Sequence, residues 1–117
     1  MNKSAKIAVA AAAPLLLAAA PPTTQDRADV RCLIVSYQLA SSADAEIKNA
    51  GIIVSQYYLG LLDGRSPGLD LEALIEAESK GIDEAQMKAL LQRCGSEVEK
   101  RGKEIEAIGA RLQKKGV

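Results

Sequence analysis

Apolar residues recur along this chain at intervals of three and four, with no useful length of strict alternation. That pattern predicts helices and no sheet. Val30, Leu33, Ile34 and Tyr37 share one side of a helix expected from about Asp26 to Ala40, with Cys32, Val35 and Leu39 on the other side. A helix apolar nearly all round is one packed between others. Ser41 and Ser42 offer a cap for a second helix, from about Ala43 to Leu62. Its expected inner face is Ile47, Ala50, Gly51, Val54, Tyr57, Tyr58, Leu61 and Leu62. Asp44 and Glu46 suit the positive end of its dipole, and Gly64 is a natural stop. The stretch "GRSPG" then reads as a turn. A third helix is expected from about Leu71 to Lys80, capped by Asp70 and ended by Gly81, with Leu71, Leu74 and Ile75 facing inward. The fourth has the clearest start. Asp83 and Gln86 have capping-box spacing, and Ile82 and Met87 are placed as a hydrophobic staple. It should run to about Lys114. Four helices on short connections predict a small all-α bundle.

The fourth helix carries one apolar stripe: Met87, Leu90, Leu91, Cys94, Val98, Ile105, Ile108 and Leu112. Along its edge Gly95, Gly102, Gly109 and Gly116 repeat every seven residues. Glycine inside a helix costs about 1 kcal/mol relative to alanine, so the repeat calls for a reason. The favoured one is close approach of a neighbouring helix beside an inward-pointing Cys94. The alternatives are a groove or hinge that admits a partner, and fraying beyond Gly102. On the far side lie Lys100, Lys103, Arg111, Lys114 and Lys115. Spacing of four predicts the pairs Glu97–Arg101 and Glu99–Lys103. With no aromatic platform for bases, this side reads as a solvated face rather than a nucleic-acid or membrane surface.

The chain begins with a cationic start, Lys3 and Lys6, followed by an uncharged run of fourteen residues, Ile7 to Ala20, ending in small residues. That is the pattern of a secretory signal peptide over residues 1–20. A membrane span would need about 20 apolar residues, and this run is shorter and interrupted by Pro14. The expectation is a periplasmic or secreted bacterial protein, residues 21–117, forming a single helical domain without membrane contact once the leader is removed. It holds 13 basic against 15 acidic side chains. Arg93 to Val117 is locally basic, and the part before it acidic.

Cys32 and Cys94 are the only cysteines. In an oxidising compartment two cysteines in a small domain most simply pair. The alternatives are two buried thiols or an intermolecular bridge. A disulfide closing a loop of this length contributes about 4 kcal/mol in the chain-entropy model, a large share of the roughly 5–15 kcal/mol typical of a domain. The spacing is unlike the Cys-x-x-Cys of redox catalysts.

Candidate chemistry is sparse. The chain contains no histidine, which removes histidine general bases and histidine metal sites. No phosphate loop or calcium loop is present, and carboxylate pairs such as Glu72 and Glu76 fall on faces expected to be exposed. Neither catalytic residues nor a cofactor or metal site is expected, and the chain does not read as an enzyme.

The early "RCLIV", the aromatic-glycine helix end "YYLGLLDG" and the later "MKALLQRC", followed by a charged helix, resemble the architecture of the HdeA/HdeB periplasmic acid-stress chaperones. The chain departs from that pattern in having no Trp or Phe and a longer last helix. The resemblance implies a disulfide-linked helical protein, a homodimer at rest, that acid loosens to expose apolar surface to unfolding protein clients. Protonation of the carboxylates would carry the charge from −2 towards about +13. The expected binding surface is Val54, Tyr57, Tyr58, Leu61, Ile105 and Ile108. The alternative is a structural or interaction protein of the periplasm or envelope whose last helix packs on a protein partner.

Overall fold

The computed structural model describes residues 20–117. The signal peptide expected over residues 1–20 therefore lies outside the described residues, save for Ala20. Four helices make up the fold: α1 (Thr24–Ala40), α2 (Ala45–Arg65), α3 (Leu71–Ser79) and α4 (Glu84–Lys114). No strand occurs among the described residues.

Each helix start has a local cause. At α1, Thr23 Oγ1 accepts from the Asp26 N–H at 3.0 Å, while Asp26 Oδ2 accepts from the Thr23 N–H at 2.9 Å. This capping box starts the helix two residues before the expected Asp26. At α4, Asp83 and Gln86 form the expected box, at 2.8 and 3.1 Å. Asp70 caps α3 through the Ala73 N–H. The cap of α2 is Asp44, not Ser41 or Ser42, because its carboxylate reaches both the Glu46 and Ile47 N–H groups. That satisfies two of the orphan donors at once. The other end of α2 also differs from expectation. The helix passes through Gly64 to Arg65, because Arg65 and Ser66 are held by carboxylates on α1.

Helix α1 is the central element and touches each of the other three. Val30, Cys32, Leu33, Ile34, Val35 and Ser36 are all buried, as its all-round apolar character predicts. Tyr37 is the exception and stands exposed. With them Tyr58 and Leu62 of α2, Leu74 of α3 and Cys94 of α4 form the core. The inner face of α2 is narrower than its sequence pattern. Gly51, Tyr58 and Leu62 are buried, whereas Ile47 and Ala50 lie exposed on the first turns, beyond the end of α1.

Cys32 and Cys94 are joined, with sulfurs 2.00 Å and Cα atoms 5.6 Å apart across 62 positions of sequence. The bridge fastens α4 to α1.

Close helix approach through glycine does occur, but on α2. A Cβ on Gly51 would lie 2.3 Å from the Ala40 backbone nitrogen and 2.7 Å from the Leu39 carbonyl carbon. The expectation that the glycines of α4 serve this purpose is corrected: nothing lies within 4 Å of where a side chain would stand at Gly95, Gly102, Gly109 or Gly116. For Gly102, Gly109 and Gly116 the reason is length. A 31-residue helix spans about 46 Å and the 17-residue α1 about 26 Å, so α4 runs past the body of the bundle. It remains continuous beyond Gly102 and ends in a Schellman motif. Val117 N–H bonds Leu112 O and Gly116 N–H bonds Gln113 O, with Gly116 at φ 76°.

Candidate functional surfaces

Three features could bear function: a charged seam on α1, an apolar groove beside α3, and the overhanging half of α4.

The seam consists of buried carboxylates matched by arginines. Asp26 and Asp29, each about 1% exposed, lie one turn apart on α1. Arg65 reaches both, at 3.2 Å to Asp26 and 2.7 Å to Asp29, and the Ser66 hydroxyl donates to Asp26. On another side of α1, Glu78 of α3 accepts from Arg31 Nε at 2.6 Å and Arg27 at 2.7 Å. Glu78 is itself buried. These bonds offset the cost of removing carboxylates from water. The Thr23 backbone N–H, helped by the hydroxyls of Thr23 and Ser66 and by Arg65, holds the Asp26 carboxyl below its ordinary range against the opposing effect of burial. Arg31 and then Arg27 do the same for Glu78. Asp29 in turn raises the pKa of Arg65. No buried side-chain nitrogen or oxygen lacks a partner among the described residues, so the buried carboxylates of the seam are fully engaged by their clamps. Sequence reasoning missed it. The only available signal was a pair of carboxylates three apart and a pair of arginines four apart on a helix otherwise apolar.

The groove is open to solvent, has a volume of about 610 Å³ and is lined by Leu33, Ile34, Tyr37, Leu59, Leu71 and Ile75, with Gln38, Ser55 and Ser79 at its margins. The backbone of α3 approaches α1 alone, so one wall of this groove rests on the Glu78 clamp and on Leu74.

The six residues expected to bind a partner fall into two groups. Tyr58 is fully buried, and its hydroxyl lies 3.1 Å from the Cys94 carbonyl oxygen and 3.3 Å from Glu97 Oε2. Tyr57, half-buried, donates to Glu97 Oε1 at 3.2 Å and meets the Tyr58 ring edge-on. Burial, followed by the charge of Glu97, raises both phenol pKa values. These contacts make Tyr57 and Tyr58 the fastening of α2 to α4. Val54 and Leu61 are partly buried against the core beside them. Ile105 and Ile108, by contrast, stand on the overhang, 68% and 42% exposed. The structure thus separates the α2 residues from the two α4 isoleucines.

The charged side of α4 corrects one expected pair. Glu97 is engaged by the tyrosines rather than by Arg101, which pairs with Glu104. Glu99 and Lys103 pair as expected, at 2.6 Å.

The chain matches no family model, no curated protein and no solved structure. No group of three possible metal ligands and no helix long and apolar enough to cross a membrane occurs among the described residues.

Proposed function

We propose that this is a small exported, non-enzymatic binding protein that offers apolar helix surface to other proteins. The observation that carries the reading is the bare stripe on α4. Ile105, Ile108 and Leu112 continue the same helix face that Leu90, Cys94 and Val98 bury against the bundle, yet no part of the body covers them. Three aliphatic side chains on one exposed face form a surface suited to a second helix. The Cys32–Cys94 bridge fits an oxidising compartment such as the periplasm. Photo-cross-linking from positions 105 and 108 in intact cells tests the proposal. A constant protein neighbour at neutral pH supports it, and no protein adduct at either position refutes it.

A second reading, an acid-stress chaperone, is favoured by the placement of the charged seam. Asp26, Asp29 and Glu78 hold down the end of α2 and the whole of α3. Loss of the Asp26 and Glu78 charges in the strongly acid range would free both segments, widening the groove beside Ile34 and Ile75. The disulfide would keep α1 and α4 joined meanwhile. Suppression of client aggregation in that range, together with binding of an apolar dye, supports this reading. A bundle that stays closed there and leaves client aggregation unchanged refutes it.

A further inference from the structure

We propose that the free half of α4 pairs with the same segment of a second copy of this chain, antiparallel, about a two-fold axis between Glu106 and Ala107. The proposal rests on reading α4 as a docking surface and names its occupant.

The face is heptad-spaced. Leu91, Val98, Ile105 and Leu112 recur every seven residues, and Cys94, Arg101, Ile108 and Lys115 follow three places after each. This is the repeat of a helix that supercoils with another helix. The first part of the face, through Val98, is already packed on the core. Only the stretch beyond it can take a partner.

A parallel pair is disfavoured. It would bring two bundle bodies to the same end, and would set Arg101 against Arg101 and Lys115 against Lys115 in the seam. An antiparallel pair puts the bodies at opposite ends.

Among antiparallel registers one is favoured by charge. With Ile105 of one copy opposite Ile108 of the other, the flanking Glu104 falls opposite Arg111, and symmetry repeats the contact. Sliding by one heptad in one direction sets Glu104 against Glu104, and in the other direction Arg111 against Arg111. Such flanking pairs choose partner and orientation in helical pairs. Leu112 lies beside the aliphatic stem of Arg101 in the favoured register, while the Arg101 guanidinium stays at the solvent edge on Glu104 of its own helix.

The same register gives the glycines a role. The opposite edge then sets Gly102 against Gly109, and both have open space where a side chain would stand. Gly116 is already explained by its φ of 76°. For Gly102 and Gly109, absent side chains let the two backbones approach closely.

The overlap, residues 99–114, is about 24 Å long. It buries less than the roughly 800 Å² per partner of a standard interface, so dimers should form at roughly micromolar concentrations.

Sedimentation of the purified disulfide-bonded protein tests this. The wild type should dimerise, and E104R and R111E should each weaken the dimer about tenfold or more, since each sets like charges together twice. Mixing the two variants should restore wild-type affinity, because every contact then joins opposite charges. I105D should abolish dimers with helicity retained. Spin labels at Gln92 should lie about 40–45 Å apart in the dimer, and at Ala107 under about 25 Å. A wild type monomeric at several hundred micromolar overturns self-pairing, while cross-links from 105 to another protein would still judge the docking reading separately. A dimer indifferent to both charge reversals, or one with short separations at both labels, also overturns it.

Discussion

The Arg31 guanidinium meets the Glu78 carboxylate at 2.6 Å, and with Arg27 on the same carboxylate this contact is the polar tie between α3 and α1. Both arginines are substantially solvated while Glu78 is not, so the carboxylate is the member whose loss matters most. Glu78→Gln keeps the shape but removes the charge, and should cost about 1–3 kcal/mol. Amide exchange should quicken through Leu71–Ser79 while α1 stays protected. Uniform acceleration across all four helices would contradict this account.

The same clamps set a pH dependence whose sign follows from the lowered pKa values of Asp26 and Glu78. In the unfolded chain both bind protons more readily than in the folded one. Their contribution is therefore complete above the ordinary carboxylate range and is lost as pH falls below about 4. Urea midpoints measured across pH 2–7 should decline on the acid side, and Glu78→Gln should flatten part of that decline. A profile unchanged by the substitution would exclude Glu78 as a contributor.

Gly51→Ala places a methyl where the Ala40 and Leu39 backbone already stands. Backbone cannot swing aside as a flexible side chain can, so a loss of about 1–3 kcal/mol or more is expected. Denaturant unfolding measures it. Gly60→Ala is the control: nothing lies near its added carbon, and alanine there should stabilise the helix by up to about 1 kcal/mol.

Replacing Cys32 and Cys94 with serine, or reducing the bridge, should cost about 4 kcal/mol. The effect should be read as a fall in the thermal midpoint, with α4 the first helix to lose exchange protection. Beyond the bridge, α4 is held chiefly by Leu90, Val98, Arg93 and the two tyrosines.

Tyr58→Phe removes a hydroxyl bonded to Cys94 O and Glu97. The expected cost is about 0.5–1.5 kcal/mol.

Helices were legible wherever one residue type acts locally. The Asp83–Gln86 box and the Asp70 cap need no tertiary information, and the burial of the middle of α1 was visible in Val30, Leu33, Ile34 and Val35. Long-range partners were not legible. Nothing local in "LDGRS" says that Arg65 will find Asp29, so the continuation of α2 past Gly64 could not be foreseen. The overhang was hidden for a different reason. A stripe that packs on its own chain and one left bare read the same along α4, and only the lengths of α1 and α2 decide where cover ends. The heptad glycines of α4 were illegible in the same way, because close approach depends on what stands opposite.

Cys94 lies one turn before Val98, where α4 leaves the body. The sulfur bridge thus sits at the fulcrum of a lever arm roughly four turns long. A pull on the tip of α4 that passes the contacts of Val98 and Glu97 is stopped at a covalent bond to the central helix. The arm can therefore bear load, or keep hold of whatever it has grasped, after the softer joints at Tyr57, Tyr58 and Glu78 have given way.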